Sequence, residues 1–156
     1  MHFVVLCIGK AKHSYVQAGV EHYVKSINTL GDVELFELKD AASDTAKEAE
    51  AILNYLERRQ YLKDGKNRIV ILDECGKEFT SLQWASKLKK WEDEGLNRVI
   101  FIIGGAFGLH ERVKKEAKES LALSKFTFPH DLVRVVLLEQ IYRALHIQSA
   151  SKYHHN

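Results

Sequence analysis

VIFIIGGAFGLHERVKKEAKESLALSKFTFPHDLVRVVLLEQIYRALHIQ, residues 99 to 148, is the stretch that decides the fold of this chain. It holds a short apolar segment ending at Gly104 and Gly105, a charged helical segment, a mixed segment leading to Pro129, and a long apolar helix. Open α/β sheets bind their ligands at the carboxyl ends of strands. We therefore expect the chemistry at the two junctions, IIGGAFG and LSKFTFPHD.

Strand-like and helix-like segments alternate upstream of this stretch. Apolar runs predict strands at 3–8, 33–38, 68–72 and 99–103, of which 33–38 alternates with acidic residues and is expected near a sheet edge. Helical spacing of apolar residues predicts helices at 14–27, about 44–61 and about 81–95. The charges of KEAE, residues 47–50, are expected on a solvated helix face. This alternation favours an α/β fold, a mostly parallel sheet with helices on both faces, as one domain over residues 1–156.

The composition excludes several classes of protein. At 46% hydrophobic and 28% charged residues, it is that of an ordinary globular domain. No apolar run approaches the ~18 residues of a membrane span, and the N-terminus lacks the features of a signal peptide, so we expect a cytoplasmic protein that does not enter membranes. Cys7 and Cys75 are isolated, which suggests neither a disulfide nor a metal site. A net charge of +2 means that an RNA partner would require local concentration of charge or oligomerisation.

Two short motifs each allow two interpretations. Gly104 and Gly105, with Gly108, could let a ligand approach the backbone or could simply form a tight turn. The motif is neither the dinucleotide-binding nor the P-loop glycine pattern. Asp73 and Glu74, after the strand at 68–72, could bind a metal or a ribose, but a solvated turn is favoured because adjacent side chains usually point apart.

The last helix carries more apolar residues than one face can hold. Pro129 disfavours helix at the residue before it, and Asp131 is expected to cap a helix that begins at Leu132. Such a helix is either deeply buried or covered by a partner. Glu139 and Arg143 have the spacing of a surface ion pair. A polar mouth is the alternative role for the remaining polar residues of this region: His130, Arg134, Arg143, Tyr153, His154 and His155.

The chain resembles the RlmH family of SPOUT-class methyltransferases in the order and spacing of five segments. These segments are VILDECGK, FIIGGAFGL, LSKFTFPH, RVVLLEQIYRA and the closing YH. Enzymes of that family methylate N3 of a pseudouridine in the 23S RNA of the large ribosomal subunit. The resemblance covers essentially the whole chain. It implies a deep C-terminal trefoil knot that forms the pocket for S-adenosyl-L-methionine, and a homodimer that packs through the knot. Such a dimer would cover the surplus apolar surface of the last helix.

The resemblance also implies which residues form the site. Adenine requires an apolar slot with backbone donors and acceptors. The implied cofactor-binding residues are Leu72, Gly104, Gly105, Leu123, Ser124, Lys125, Phe126, Thr127 and Phe128. The candidate catalytic residues are Arg143, Tyr153, His154 and His130. Among these, His154 is the hypothetical base or proton shuttle and Arg143 the stabiliser of charge on the substrate. The candidate RNA-binding residues are Lys10, Lys12, Lys125 and Arg134.

Two other functions are compatible with the pattern. A flavodoxin-like nucleotide-binding module would show the same alternation, but the chain lacks a phosphate-cradling glycine loop after its first strand. A noncatalytic ribosome-associated factor could keep the fold without the activity. Because the chain has no separate RNA-binding domain, we expect ribosomes to be far better acceptors than free ribosomal RNA.

Overall fold

A five-stranded parallel sheet runs through the centre of the protein. In the computed structural model, which describes residues 1–42 and 44–152, its strands are β1 (His2–Ile8), β2 (Asp32–Leu38), β3 (Asn67–Lys77), β4 (Arg98–Ile103) and β5 (Glu119–Leu121). They lie in the order β2-β1-β4-β3-β5, and every strand pairing is parallel. The predicted parallel sheet, with β2 at its edge, is therefore confirmed.

Helices cover both faces of the sheet, as the continuous apolar runs of its inner strands require. The helices are α1 (Ser14–Ile27), α2 (Thr45–Arg58), α3 (Ser81–Asp93), α4 (Glu111–Lys114) and α5 (His130–Lys152). On one face, α5 packs against both α1 and α3 over a core that includes Phe3 and Phe101. On the other face, α2 and α4 cover Leu6 and Ile100. Within the described part of the chain, no helix is long and apolar enough to cross a membrane.

Strand β3 continues five residues beyond the predicted strand, because β5 pairs with it on both sides of a bulge. Leu72 and Lys77 both pair with Leu121, and the intervening residues are displaced from the ladder. Gly76 allows this close approach, since a Cβ there would lie 2.7 Å from the backbone carbonyl carbon of Ser120. The prediction of a solvated turn at Asp73 is wrong: this residue lies in the bulge and is half-buried.

Helix α5 begins at His130, two residues earlier than predicted. Asp131 is not its cap but lies in its first turn, where its carboxylate is used for contacts across the fold. The fully buried face of α5 includes Leu137 and Ile141. Other apolar side chains of the helix are only half-buried: Leu132, Val133, Val135, Val136, Tyr142, Leu145 and Ile147. The chain therefore covers only part of the apolar surface of α5.

Candidate functional site

A cavity of about 510 Å³ opens at the carboxyl ends of β3, β4 and β5. Its volume is within the range of small-molecule sites, and its position is where parallel sheets place ligands. The bulge of β3, the glycine turn after β4, the loop after β5 and the start of α5 form its walls. The two junctions singled out in the sequence thus face the same space.

The structure brings eight of the nine predicted cofactor-binding residues to this cavity. The eight are Leu72, Gly104, Gly105, Leu123, Ser124, Phe126, Thr127 and Phe128. Lys125 is exposed and is not among the lining residues. That these residues hold S-adenosylmethionine stays a prediction, but their proximity follows from the parallel order of β3, β4 and β5.

The glycine turn forms a closely packed wall of the cavity. The N–H of Gly108 donates to the carbonyl of Gly105 at 3.1 Å, and Gly108 has a φ of +75°, which favours glycine. At Gly104 a Cβ would lie 2.8 Å from the carbonyl carbon of Gly108, so the closed turn leaves no room for a side chain at this position. Ala106 and Phe107 lie at the tip of the turn and are exposed.

Polar contacts hold the loop after β5, residues 122–129, against the bulge of β3. The hydroxyl of Ser124 accepts the N–H of Phe126 at 3.0 Å, and the hydroxyl of Thr127 donates to the Glu74 carboxylate at 3.1 Å. The interior between them is lined by apolar side chains that include Leu72 and Leu123. This combination of an apolar slot and a polar backbone rim suits a planar nitrogen heterocycle such as adenine.

An ion pair lies on another side of the cavity. The ammonium of Lys114 lies 3.1 Å from a carboxylate oxygen of Asp73. The pKa of Asp73 is lowered, first by the N–H of Cys75 and then by Lys114, against the opposing effect of burial. The same hydrogen bond to Asp73 raises the pKa of Lys114. Both groups are therefore charged at neutral pH, and their opposite charges balance each other at the wall of the cavity.

The carboxylate of Asp131 connects the cavity to the loop after β1. It accepts the backbone N–H of Lys12 at 3.0 Å and lies 3.4 Å from Nε2 of His130, which lines the cavity. Nδ1 of His13 lies 3.5 Å away. Burial raises the pKa of Asp131, but the N–H of Lys12 and the charge of Arg134 outweigh it and leave the pKa below its usual value. The ionised carboxylate therefore holds His130 and the loop at residues 9–13 together.

The prediction that Arg134 contacts RNA is wrong, because the side chain of Arg134 is 0% exposed. One guanidinium nitrogen donates to Glu37 at 2.8 Å, the other to Asp131 at 3.2 Å, and both approach the carbonyl of Gly9 at 3.4 Å. Arg134 thus joins β2, the loop after β1 and α5. The sequence contained a signal for this burial, since Arg134 has helical spacing to the buried Leu137 and Leu138.

The other predicted polar residues are dispersed. Lys10 and Lys12 are exposed on the loop that Asp131 anchors. Arg143 forms the predicted ion pair with Glu139, with Nε 2.9 Å from a carboxylate oxygen. It lies about 20 Å along α5 from His130 at a rise of ~1.5 Å per residue, and it does not line the cavity of its own chain. Tyr153, His154 and His155 lie outside the described residues.

Glu48 is a buried group that the sequence pattern did not reveal. It was expected on the solvated face of α2, yet it is only 5% exposed. A Cβ on Gly105 would come within 3.2 Å of both its carboxylate oxygens, so the residue supports the glycine turn from behind. Burial raises the pKa of Glu48, with Asp40 and Asp44 adding to the effect; the N–H of Ala41 and the charge of His130 oppose it.

The sheet order and the strand-end cavity define an α/β protein with a parallel sheet and a cavity of small-molecule size at its strand ends. Comparison with known proteins identifies the family within this class. The family model described as "Predicted SPOUT methyltransferase" matches residues 1–154, and the chain belongs to this methyltransferase family. A curated relative, "Ribosomal RNA large subunit methyltransferase H" of Natranaerobius thermophilus, is 39% identical over 99% of this chain and 100% of its own length.

Solved structures resemble the fold at low sequence identity. A probable methylase family protein from Haemophilus influenzae Rd KW20 matches with a TM-score of 0.59 and 12% identity, over 99% of this chain and 70% of its own. The SpoU methyltransferase AviRb from Streptomyces viridochromogenes, in complex with the cofactor AdoMet, matches with a TM-score of 0.51 and 11% identity, over 91% of this chain and 57% of its own. These similarities support the α/β architecture.

Proposed function

We propose that this protein is an S-adenosylmethionine-dependent methyltransferase that methylates N3 of a pseudouridine in the 23S RNA of the assembled ribosome. The observation that carries the proposal is the cavity at the ends of β3, β4 and β5, which brings together eight of the nine predicted cofactor-binding residues in a chain of the SPOUT methyltransferase family. The name of the curated relative supports the large-subunit RNA as substrate. The AdoMet complex of the structurally similar AviRb supports the donor.

The residues present fit this cofactor. Leu72 and Leu123 supply apolar walls for an adenine ring, and the loop at residues 122–129 supplies backbone groups at its edge. At Gly104 and Gly105 a Cβ would come within 2.8–3.2 Å of other protein atoms, so the packing of this cavity wall requires glycine at both positions. Bound there, S-adenosylmethionine supplies an electrophilic sulfonium methyl group.

The protein must hold the acceptor nitrogen in line with that methyl group, at a contact distance of ~3–3.5 Å. The proton on N3 of the base must also leave before or during transfer. His130 lines the cavity and is oriented by Asp131, so it is positioned to hold or pass a proton there. We assign His154 as base or proton shuttle and Arg143 as the group that stabilises charge on the base oxygens, and we keep Tyr153 as a further candidate catalytic residue.

The proposal includes a homodimer formed through α5, a trefoil knot in the C-terminal part of the single domain at residues 1–156, and a cytoplasmic location. The half-buried Leu132 and Val136 of α5 support the dimer, because their exposed parts are apolar surface that a second copy could cover. The position of Arg143 supports it as well. A side chain about 20 Å along α5 from the cavity of its own chain can act on the reaction only at the cavity of a partner.

Contacts with RNA are assigned to Lys10 and Lys12, with Lys125 at the cavity loop. All three side chains are exposed. Such phosphate contacts weaken as salt is raised. With so few of them, we expect ribosomes to be methylated far faster than free ribosomal RNA, and equal rates on both substrates would contradict that part of the proposal.

The test is incubation of the protein with labelled S-adenosylmethionine and ribosomes that lack the modification, followed by mapping of the labelled nucleotide. We expect the label on one pseudouridine of 23S RNA, and binding of S-adenosylmethionine in calorimetry. Label on another nucleotide would refute the assigned target. Ribosome binding without transfer would instead favour a noncatalytic ribosome-associated module.

A further inference from the structure

Five large hydrophobic side chains are exposed among the residues that the structure describes, and two of them lie on the rim of the same cavity. The five are Tyr15, Leu30, Leu82, Phe107 and Phe126. Phe107 is 71% exposed and Phe126 is 81% exposed. A single exposed apolar residue requires no explanation, but two aromatic rings at one ligand cavity indicate a surface that is used in contact with another molecule.

The exposure of Phe107 is a consequence of the glycine turn. Gly105 and Gly108 close the turn through a bridge and a 3.1 Å hydrogen bond, and Phe107 occupies its tip. A Cβ at Gly104 would lie only 2.8 Å from Gly108, so the two ends of the turn are packed closely together below the ring. The aromatic face is therefore presented to solvent by a closely packed, hydrogen-bonded turn, and such preorganisation lowers the entropic cost of binding.

We propose that Phe107 is a substrate-positioning residue on which a nucleobase of the RNA stacks, holding the target base over the methyl donor. This inference rests on the proposed function and adds the residue that orients the acceptor. A base inside a helix cannot present N3 to a donor at contact distance, so it must leave the stack, and the lost stacking has to be replaced. Aromatic side chains supply such stacking to bases in proteins that bind unpaired RNA.

The surroundings of Phe107 favour a base over other occupants. Phe126, the second exposed ring, belongs to the loop assigned to the cofactor, which leaves Phe107 for the acceptor. The exposed Lys10 and Lys12 lie on the loop that Asp131 ties to His130, a residue of the same cavity. The structure thus links a loop with cationic side chains for phosphates to a cavity with an exposed aromatic ring for a base, a combination typical of RNA recognition.

The test compares Phe107→Ala, Phe107→Leu and Phe107→Trp in steady-state methylation of ribosomes that lack the modification, alongside calorimetry with S-adenosylmethionine. We expect kcat/KM for ribosomes to fall about 5- to 100-fold in the Ala and Leu variants and to be retained in the Trp variant, since stacking requires an aromatic face. Affinity for S-adenosylmethionine should change less than about 2-fold. Leu82→Ala is the matched control, because Leu82 is 67% exposed on α3 and does not line the cavity.

Several results would overturn the inference. Full activity of Phe107→Ala would show that no base stacks there, and full activity of Phe107→Leu would show a merely apolar contact. A parallel loss of S-adenosylmethionine affinity would assign the ring to the cofactor, and a shift from dimer to monomer in sedimentation would assign it to the partner subunit. Failure of the proposed function is distinguishable, because the unmodified protein would then bind no S-adenosylmethionine or transfer no methyl group to ribosomes.

Discussion

At the scale of single residues, the buried guanidinium of Arg134 is the strongest constraint on the region around the site. It is paired with Asp131 and Glu37 and shielded from water, so we expect Arg134→Met to lower the free energy of unfolding by about 3–5 kcal/mol. Most of that loss is the cost of leaving the buried carboxylate of Asp131 without its guanidinium partner. Arg134→Lys keeps the charge but loses the forked geometry, and should give an intermediate loss.

Urea unfolding at pH 7 measures these losses, and Arg143→Met is the matched control. Arg143 also pairs with a carboxylate of α5, but its side chain is 54% exposed, so we expect a much smaller effect. Equal losses for the Arg134 and Arg143 variants would contradict the inferred burial of Arg134.

Glu48 should make stability depend on pH. Its folded pKa is raised above its usual value of 4.5, chiefly by burial. Between the unfolded and the folded pKa the native state binds more protons, so stability falls as pH rises through that window. Glu48→Gln, which can still accept the N–H of Ala41, should therefore unfold at higher urea than the unmodified protein at pH 7, with the difference vanishing near pH 4.

The comparison is urea unfolding from pH 4 to pH 8, with the exposed Glu50→Gln as control. A variant at Glu48 that is less stable than the unmodified protein at pH 7 would show that the native carboxylate is stabilised in its ionised form. In that case the partners of the carboxylate, rather than its desolvation, would decide its pKa.

These two residues show why part of the site could not be predicted from the sequence. Helical spacing indicated which face of α2 and α5 is apolar, and the burial of Ile52 and Leu137 follows it. Spacing does not indicate which polar residue at the margin of such a face meets a partner from another element. The buried Arg134 pairs with Glu37, which lies on a strand nearly one hundred residues away along the chain. Glu48 fits beneath the glycine turn because Gly105 has no side chain to collide with its carboxylate.

At the scale of elements, the pairing of β3 with β5 holds two walls of the cavity together. Gly76→Ala would place a Cβ 2.7–2.8 Å from backbone atoms of Ser120 and Leu121, which cannot move without breaking the ladder. We expect a loss of about 1–3 kcal/mol in the free energy of unfolding, as for other overpacked sites, and weaker binding of S-adenosylmethionine.

Gly65→Ala is the control for this prediction, since no atom lies within 4 Å of a Cβ there. Thermal unfolding and calorimetry with S-adenosylmethionine measure the two effects. Unchanged stability of Gly76→Ala would mean that β5 is held by its flanking segments and not by the ladder. The apolar run of β3 was predictable, whereas its extension past the bulge was not, because β5 contributes only three residues and has no clear strand pattern.

At the scale of the whole molecule, the half-buried apolar residues of α5 and the remote position of Arg143 lead to the same expectation of a second subunit. Sedimentation equilibrium should show a dimer. Substitution of Val136, a half-buried apolar residue of α5, by glutamate should shift the protein toward monomer, because dimerisation would then bury an unpaired charge. A monomeric unmodified protein with full activity would contradict the proposed assembly.

If Arg143 acts at the partner's cavity, two inactive variants should restore each other's activity in a mixed dimer. One chain carries Arg143→Ala and keeps an intact cavity. The other carries Thr127→Trp, whose ring fills the cavity from the exposed loop, and keeps its Arg143. Random pairing makes half of the dimers mixed, each with one complete site, so co-expressed chains should show about a quarter of the unmodified activity. If Arg143 served its own cavity, no pairing of these chains would assemble a complete site, and the mixture would remain inactive.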